Sequence, residues 1–262
     1  MGAIFIKSIW DRKISTFVVG SSLLAFAFLF VALFETIAGE LTGYLDSFPA
    51  EFSAIIGDLS NATTPAGWLS IELYSLFVPF AVCIIAIIAG ANAIGKEEDS
   101  GTLELLLASP ISRAKLFTQK SLAILTQVAV IGLMTWLGVY IGSLLFEFDV
   151  NLANVLWASI SAVALGALFG SIALATQAVT GKRAMALGVA SGVLAIGYAL
   201  NILSSLVESL EWVKFLSPFY YFNVEDTLSS GVDFTKLAVL VVLTIALYII
   251  AHIWFAKRDT GV

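Results

Sequence analysis

Few residues in this chain could carry chemistry, and most familiar reactions fail for want of a partner. His252 is the only histidine, so an HExxH zinc site is impossible and a packed or interfacial ring is expected. Cys83 is the only cysteine, which removes intrachain disulfides and CxxC redox or metal sites. Gly95-Lys96 is followed by Glu97, and Gly181-Lys182 by Arg183. Neither completes the GxxxxGK[ST] loop that cradles phosphates. The chain is therefore expected to be non-catalytic and to hold no cofactor; ATP, if used, is bound by a partner subunit. The densest charge is the run Glu97-Glu98-Asp99, followed by the segment GTLELLLASPISR.

The elements that must position this run are membrane spans. Of 262 residues, 60% are hydrophobic and 12% charged, with mean hydropathy +0.99, whereas soluble domains carry about 25% charged residues. The net charge of −6 would in a soluble protein argue against nucleic acid as a partner; no nucleic acid is expected, and in a membrane protein the total matters only once sorted by side. Six apolar runs, near 17–38, 71–94, 121–146, 153–176, 185–206 and 236–256, are long enough to cross about 30 Å of hydrocarbon as helices. They are continuous rather than alternating, which disfavours an outer-membrane barrel. An all-α integral membrane fold, one domain over 1–262, follows, in contact with the lipid bilayer.

Charge between the runs orients them. Eleven of the thirteen bases fall before the first span, in the 95–120 and 177–184 loops and at the C-terminus. The positive-inside rule puts those segments, and both termini, in the cytoplasm. Six acids share that side, for a balance of +5, while the opposite side and its span ends hold thirteen acids and two bases.

Residues 3–15 mix Ile4, Phe5, Ile9 and Trp10 with Lys7, Arg12 and Lys13, a pattern for an interfacial helix, or for an extension of the first span. On the outer side, Trp212, Phe215, Phe219, Tyr220, Tyr221 and Phe222 surround Pro218. They predict short interfacial or re-entrant helices between spans 5 and 6. Pro79 should kink the second span. Three GxxxG pairs, Gly138/Gly142, Gly166/Gly170 and Gly188/Gly192, suit close helix packing, most simply within the chain. Glu35, Glu72 and Glu147 sit at outer span ends, leaving mid-membrane without the ionisable groups of an ion relay.

The acidic run ends the second span, Ser100 is placed to cap a short helix, and Pro110 stops it. Leu103, Leu105, Leu106 and Leu107 give that helix more apolar surface than a free loop needs. From Glu97 to Arg113 the segment closely resembles the signature loop of the type 2 ATP-binding-cassette export permeases, and the six-span layout is similar throughout. Residues 216–231 also look like the stretch before the last helix in a branch of that family.

The resemblance implies the membrane subunit of a prokaryotic plasma-membrane exporter. Two permeases, identical or related, would pair with two cytoplasmic ATPases. The loop would be the cytoplasmic coupling helix between spans 2 and 3. In it Glu97, Glu98 and Asp99 would make polar contacts near the membrane surface, Gly101 would give the tight entry, and Thr102 would belong to the coupling element. Leu103, Glu104 and Leu107 would shape the docked helix. Competing readings are a scaffold that recruits an ATPase without transport of its own, and a secondary transporter.

Overall fold

The computed structural model describes residues 2–38, 63–102 and 112–257. Among them the order is α1 (Ala3–Ala32), α2 (Pro65–Asp99), α3 (Arg113–Leu145), α4 (Leu152–Thr180), α5 (Arg183–Leu206), a 3-10 segment (Glu208–Leu216), α6 (Pro218–Phe222), α7 (Val224–Ser230) and α8 (Phe234–Lys257). There is no strand among the described residues. Six helices, α1 to α5 and α8, are long and apolar enough to cross a membrane.

Their ends follow local sequence. The Ser112 hydroxyl accepts the Lys115 amide to start α3, and the Asn151 carboxamide accepts those of Ala153 and Asn154 to start α4. Such side chains satisfy amides that have no intrahelical partner. Gly181 ends α4 in the left-handed region at φ 67°, where glycine is unstrained.

α4 is the hub, packed against α2, α3, α5 and α8, while α1 lies along α3. Small residues set the approach. A methyl on Gly166 would come within 2.4 Å of Val82 on α2, and one on Gly170 within 3.2 Å of the Ala86 carbonyl. On the α1–α3 seam, a methyl on Gly138 would meet the Leu24 carbonyl at 2.4 Å, and one on Gly142 would meet Val31 at 2.8 Å. Dispersion between close backbones replaces the missing hydrophobic drive in lipid. Gly188 and Gly192 depart from the expected packing within the chain: no described atom lies within 4 Å of a methyl at either. α5 buries Ala186, Ala190, Leu194 and Gly197 instead, which leaves the Gly188 face open.

Two further expectations are corrected. Residues 3–15 form no separate interfacial helix; α1 runs unbroken from Ala3 to Ala32. Its first turn is tied to α3, where the Phe5 amide donates to Gln119 Oε1 at 3.1 Å, so the N-terminal stretch continues the span. At 30 residues, or about 45 Å at 1.5 Å per residue, α1 outreaches the hydrocarbon. α3 does so too, beginning at Arg113 rather than near 121.

Around Pro79 the helix widens instead of simply kinking. Leu69–Phe77 is a π-helical segment, and the Val78 amide donates to the Leu73 carbonyl, five residues back. The α-helical register then restarts at Val78, with Pro79 in its first turn, where a missing N–H leaves no broken bond.

Candidate functional site

The end of the bundle that carries Lys96, Lys120 and Arg183 is its basic end, and the opposite one its acidic end. At the basic end α2 finishes with Glu97, Glu98 and Asp99. Successive residues of an α-helix point about 100° apart, so three in a row aim at three neighbours. Glu97 pairs with Lys120 of α3. Glu98 Oε2 accepts a hydrogen bond from Gln177 Nε2 of α4. Asp99 faces Arg183 of α5, with Nη1 and Oδ2 4.0 Å apart. One acidic run thereby links the end of α2 to three other helices.

The Lys120 ammonium, on a residue only 7% exposed, also donates to the Ala93 carbonyl. From α1, Arg12 Nη2 donates to the Ala89 carbonyl of α2 at 3.2 Å. The Gly95 position allows the crowding, since a methyl there would come within 3.0 Å of Arg183 Cβ.

α2 then stops in a Schellman turn. The Thr102 amide donates to the Glu97 carbonyl at 2.9 Å and the Gly101 amide to the Glu98 carbonyl at 3.1 Å, with Gly101 at φ 66°. These bonds satisfy carbonyls that the helix end leaves open. The Ser100 hydroxyl contacts the Glu97 carbonyl and the Thr102 hydroxyl, so it finishes α2. The expected coupling-helix residues Leu103, Glu104 and Leu107 lie outside the described residues.

A family model described as ABC-2 family transporter protein matches residues 3–260. The chain belongs to that family. It is thus a permease subunit of an ABC transporter, a multi-pass membrane protein. A search of curated proteins finds no match.

Sequence reasoning singled out the permease's acids but missed their partners. Lys120 and Arg12 read as flanking charges of the spans, yet the structure sets them inside α3 and α1. Gln177, neutral and just past the fourth apolar run, gives by itself no sign of a partner, yet it meets Glu98. The available signal was physical: a lysine inside a long apolar helix needs a polar partner. His252 packs against the rings of Phe117 and Tyr248, and Cys83 is buried.

Proposed function

We propose that this permease is an exporter subunit of a prokaryotic plasma membrane, driven by a separately encoded cytoplasmic ATPase that couples to it through residues 97–107. Both termini and the basic end face the cytoplasm on this reading, as the distribution of lysine and arginine favours. Two permease subunits enclose the path, and ATP-driven closure of the ATPase pair pushes their loops together.

The observation that carries the reading is the attachment of the loop's base. Glu97, Glu98 and Asp99 join the end of α2 to α3, α4 and α5. A push on the loop is therefore shared by four helices and moves them as a body. The acidic run serves as a clamp on the bundle, and the leucine-rich stretch after Gly101 provides the docking surface.

The test separates these roles. The double variant Glu104→Lys/Leu107→Asp is expected to lose the ATPase that co-purifies with the wild-type chain, with its own melting temperature unchanged. Glu98→Gln is expected to keep the ATPase bound but lower the permease-stimulated rate of ATP hydrolysis. Full ATPase capture by the double variant would overturn the docking assignment.

A further inference from the structure

Close packing of α1 on α2 is confined to the acidic end. There Phe26 and Phe77 lie 4.7 Å apart, Phe30 stacks on Trp68 at 4.7 Å, and Trp68 Nε1 donates to the Phe30 carbonyl at 2.8 Å. Toward the basic end the two helices part, and a cavity of about 300 Å³ lies between them. Its wall carries the cations Arg12, Lys96 and Lys120, the carboxylates Asp11 and Glu97, and the apolar Ile85 and Ile88.

The distance from the cavity to the aromatic contact matches one leaflet. Ser15 lines the cavity, and Phe26, which meets Phe77, lies three turns further along the same face of α1. Those 11 residues span about 16 Å, close to half of the roughly 30 Å hydrocarbon core. On α2, Phe77 and Ile88 are related by the same spacing. Ile88 is exposed, so an acyl chain along this face would meet apolar surface.

The polar half of the cavity is incompletely paired. Among the described residues, Arg12 Nη1, Asn92 Oδ1, Glu97 Oε2 and Gln127 Oε1 have no hydrogen-bond partner, and all four side chains line the cavity. One is a charged donor and three are acceptors. Buried polar atoms left in this state cost about 1–3 kcal/mol each. A ligand that completes the set carries an anionic oxygen for the guanidinium and N–H donors for the acceptors. Inorganic phosphate and a glycerol head group donate only through neutral O–H groups, with no positive charge for the Glu97 carboxylate, and a quaternary ammonium offers no N–H. The four atoms are shielded from solvent, so seating the ligand requires rotation of side chains such as Arg12 and Gln127, a common change on binding.

We propose that this site binds an aminophospholipid, with the phosphate on Arg12, the primary ammonium on Glu97 and its neighbouring acceptors, and one acyl chain in the α1–α2 groove. The site does not depend on ATPase docking, and lipid binding is measurable on the permease alone. The test is native mass spectrometry of the full chain with phosphatidylethanolamine, phosphatidylglycerol and phosphatidylcholine of identical acyl chains.

Retention of the ethanolamine lipid about tenfold above the other two is expected, the factor one well-made polar contact supplies. Arg12→Ala lowers retention of all three lipids, since each carries the phosphate, whereas Asn92→Leu, which removes an acceptor for the ammonium, reduces the preference. Ile88→Trp, which fills the groove without touching a charge, weakens retention at an unchanged melting temperature. Millimolar soluble phosphoethanolamine leaves the lipid in place, because the acyl chain holds it. Equal retention of all three lipids, displacement by the soluble head group, or full retention by a folded Ile88→Trp variant would overturn the proposal.

Discussion

The two ends of the bundle are held together by different physics. At the acidic end the joints are mainly rings and small neutral hydrogen bonds, beside an ion pair between helices, Lys236 of α8 with Asp226 of α7 at 3.8 Å. Phe34 meets Phe148 edge-on at 5.0 Å, Tyr198 lies between Phe80 and Phe219 at 4.8 and 5.2 Å, and the Tyr74 hydroxyl pairs with that of Ser159 at 2.7 Å. At the basic end the joints are charged and directional: Glu97 with Lys120, Glu98 with Gln177, Asp99 with Arg183 and Arg12 with a backbone carbonyl. Aromatic packing is worth about 0.5–1.5 kcal/mol per pair beyond area, and many such pairs resist separation together. A charged joint has discrete alternatives, because its partners can be exchanged. The contrast suits a molecule that receives force at one end and transmits it as a rigid body toward the other.

The largest expected effect comes from breaking the buried charged joint. Glu97→Ala leaves the Lys120 ammonium without its carboxylate, a loss of about 3–5 kcal/mol for a buried pair. A marked fall in melting temperature in detergent is the readout. Exchange of both residues, Glu97→Lys with Lys120→Glu, should recover part of it. A Glu97→Ala variant as stable as wild type would show that the basic end is held by its apolar contacts, such as Phe117 on Phe255, and would erase the contrast.

The matching perturbation at the acidic end is Trp68→Ala. It removes the stack on Phe30 and the bond to the Phe30 carbonyl, about 1–3 kcal/mol together. Stability should fall while capture of the ATPase is unchanged. Loss of capture would mean that the two ends are not separable.

These two joints were unequally legible in the sequence. Long continuous apolar runs over α3, α4 and α8 announce helices, because lipid leaves the backbone no other partner. The acidic run and its glycine were conspicuous for their charge and order. What the runs could not reveal was register: Lys120 is the eighth residue of α3 because α3 begins at Arg113, beyond the apolar boundary. Nor could composition tell that Gly166 and Gly170 meet α2 while Gly188 and Gly192 meet nothing described. An identical spacing motif faces a neighbour or the surface according to helix rotation, which the motif itself does not encode.

A smaller effect sharpens the role of the turn that ends α2. Gly101 has open space around it, with no described atom within 4 Å of an added methyl, so Gly101→Ala tests backbone conformation alone. Left-handed geometry costs an ordinary residue about 1–2 kcal/mol, and Gly101→Asn should recover part of it, since asparagine tolerates that region. Melting temperatures in the order glycine, asparagine, alanine are expected. Smaller still is Asp99→Asn. Its partner is at 4.0 Å and both side chains are well exposed, so a change within about 1 kcal/mol is expected. This variant separates the exposed arm of the clamp from the buried one.

The smallest effect concerns acid. Asp233, just before α8, accepts the Thr235 amide at 2.8 Å and the Lys236 amide at 3.3 Å. These bonds hold its carboxyl below the usual aspartate range, the Lys236 amide first and the Thr235 amide second. A carboxylate with a lowered folded-state value contributes stability above its unfolded value and loses it as pH falls through the folded one. Melting temperature should therefore decline slightly as pH drops below the ordinary aspartate range, and Asp233→Asn, which keeps a capping oxygen without the charge, should remove that component. The aromatic joints around α6 hold no acid and should be indifferent to the same titration. If Asp233→Asn left the acid-induced decline intact, titration elsewhere would be responsible, with the carboxylates of the basic end, Glu97 and Asp99, the first to test.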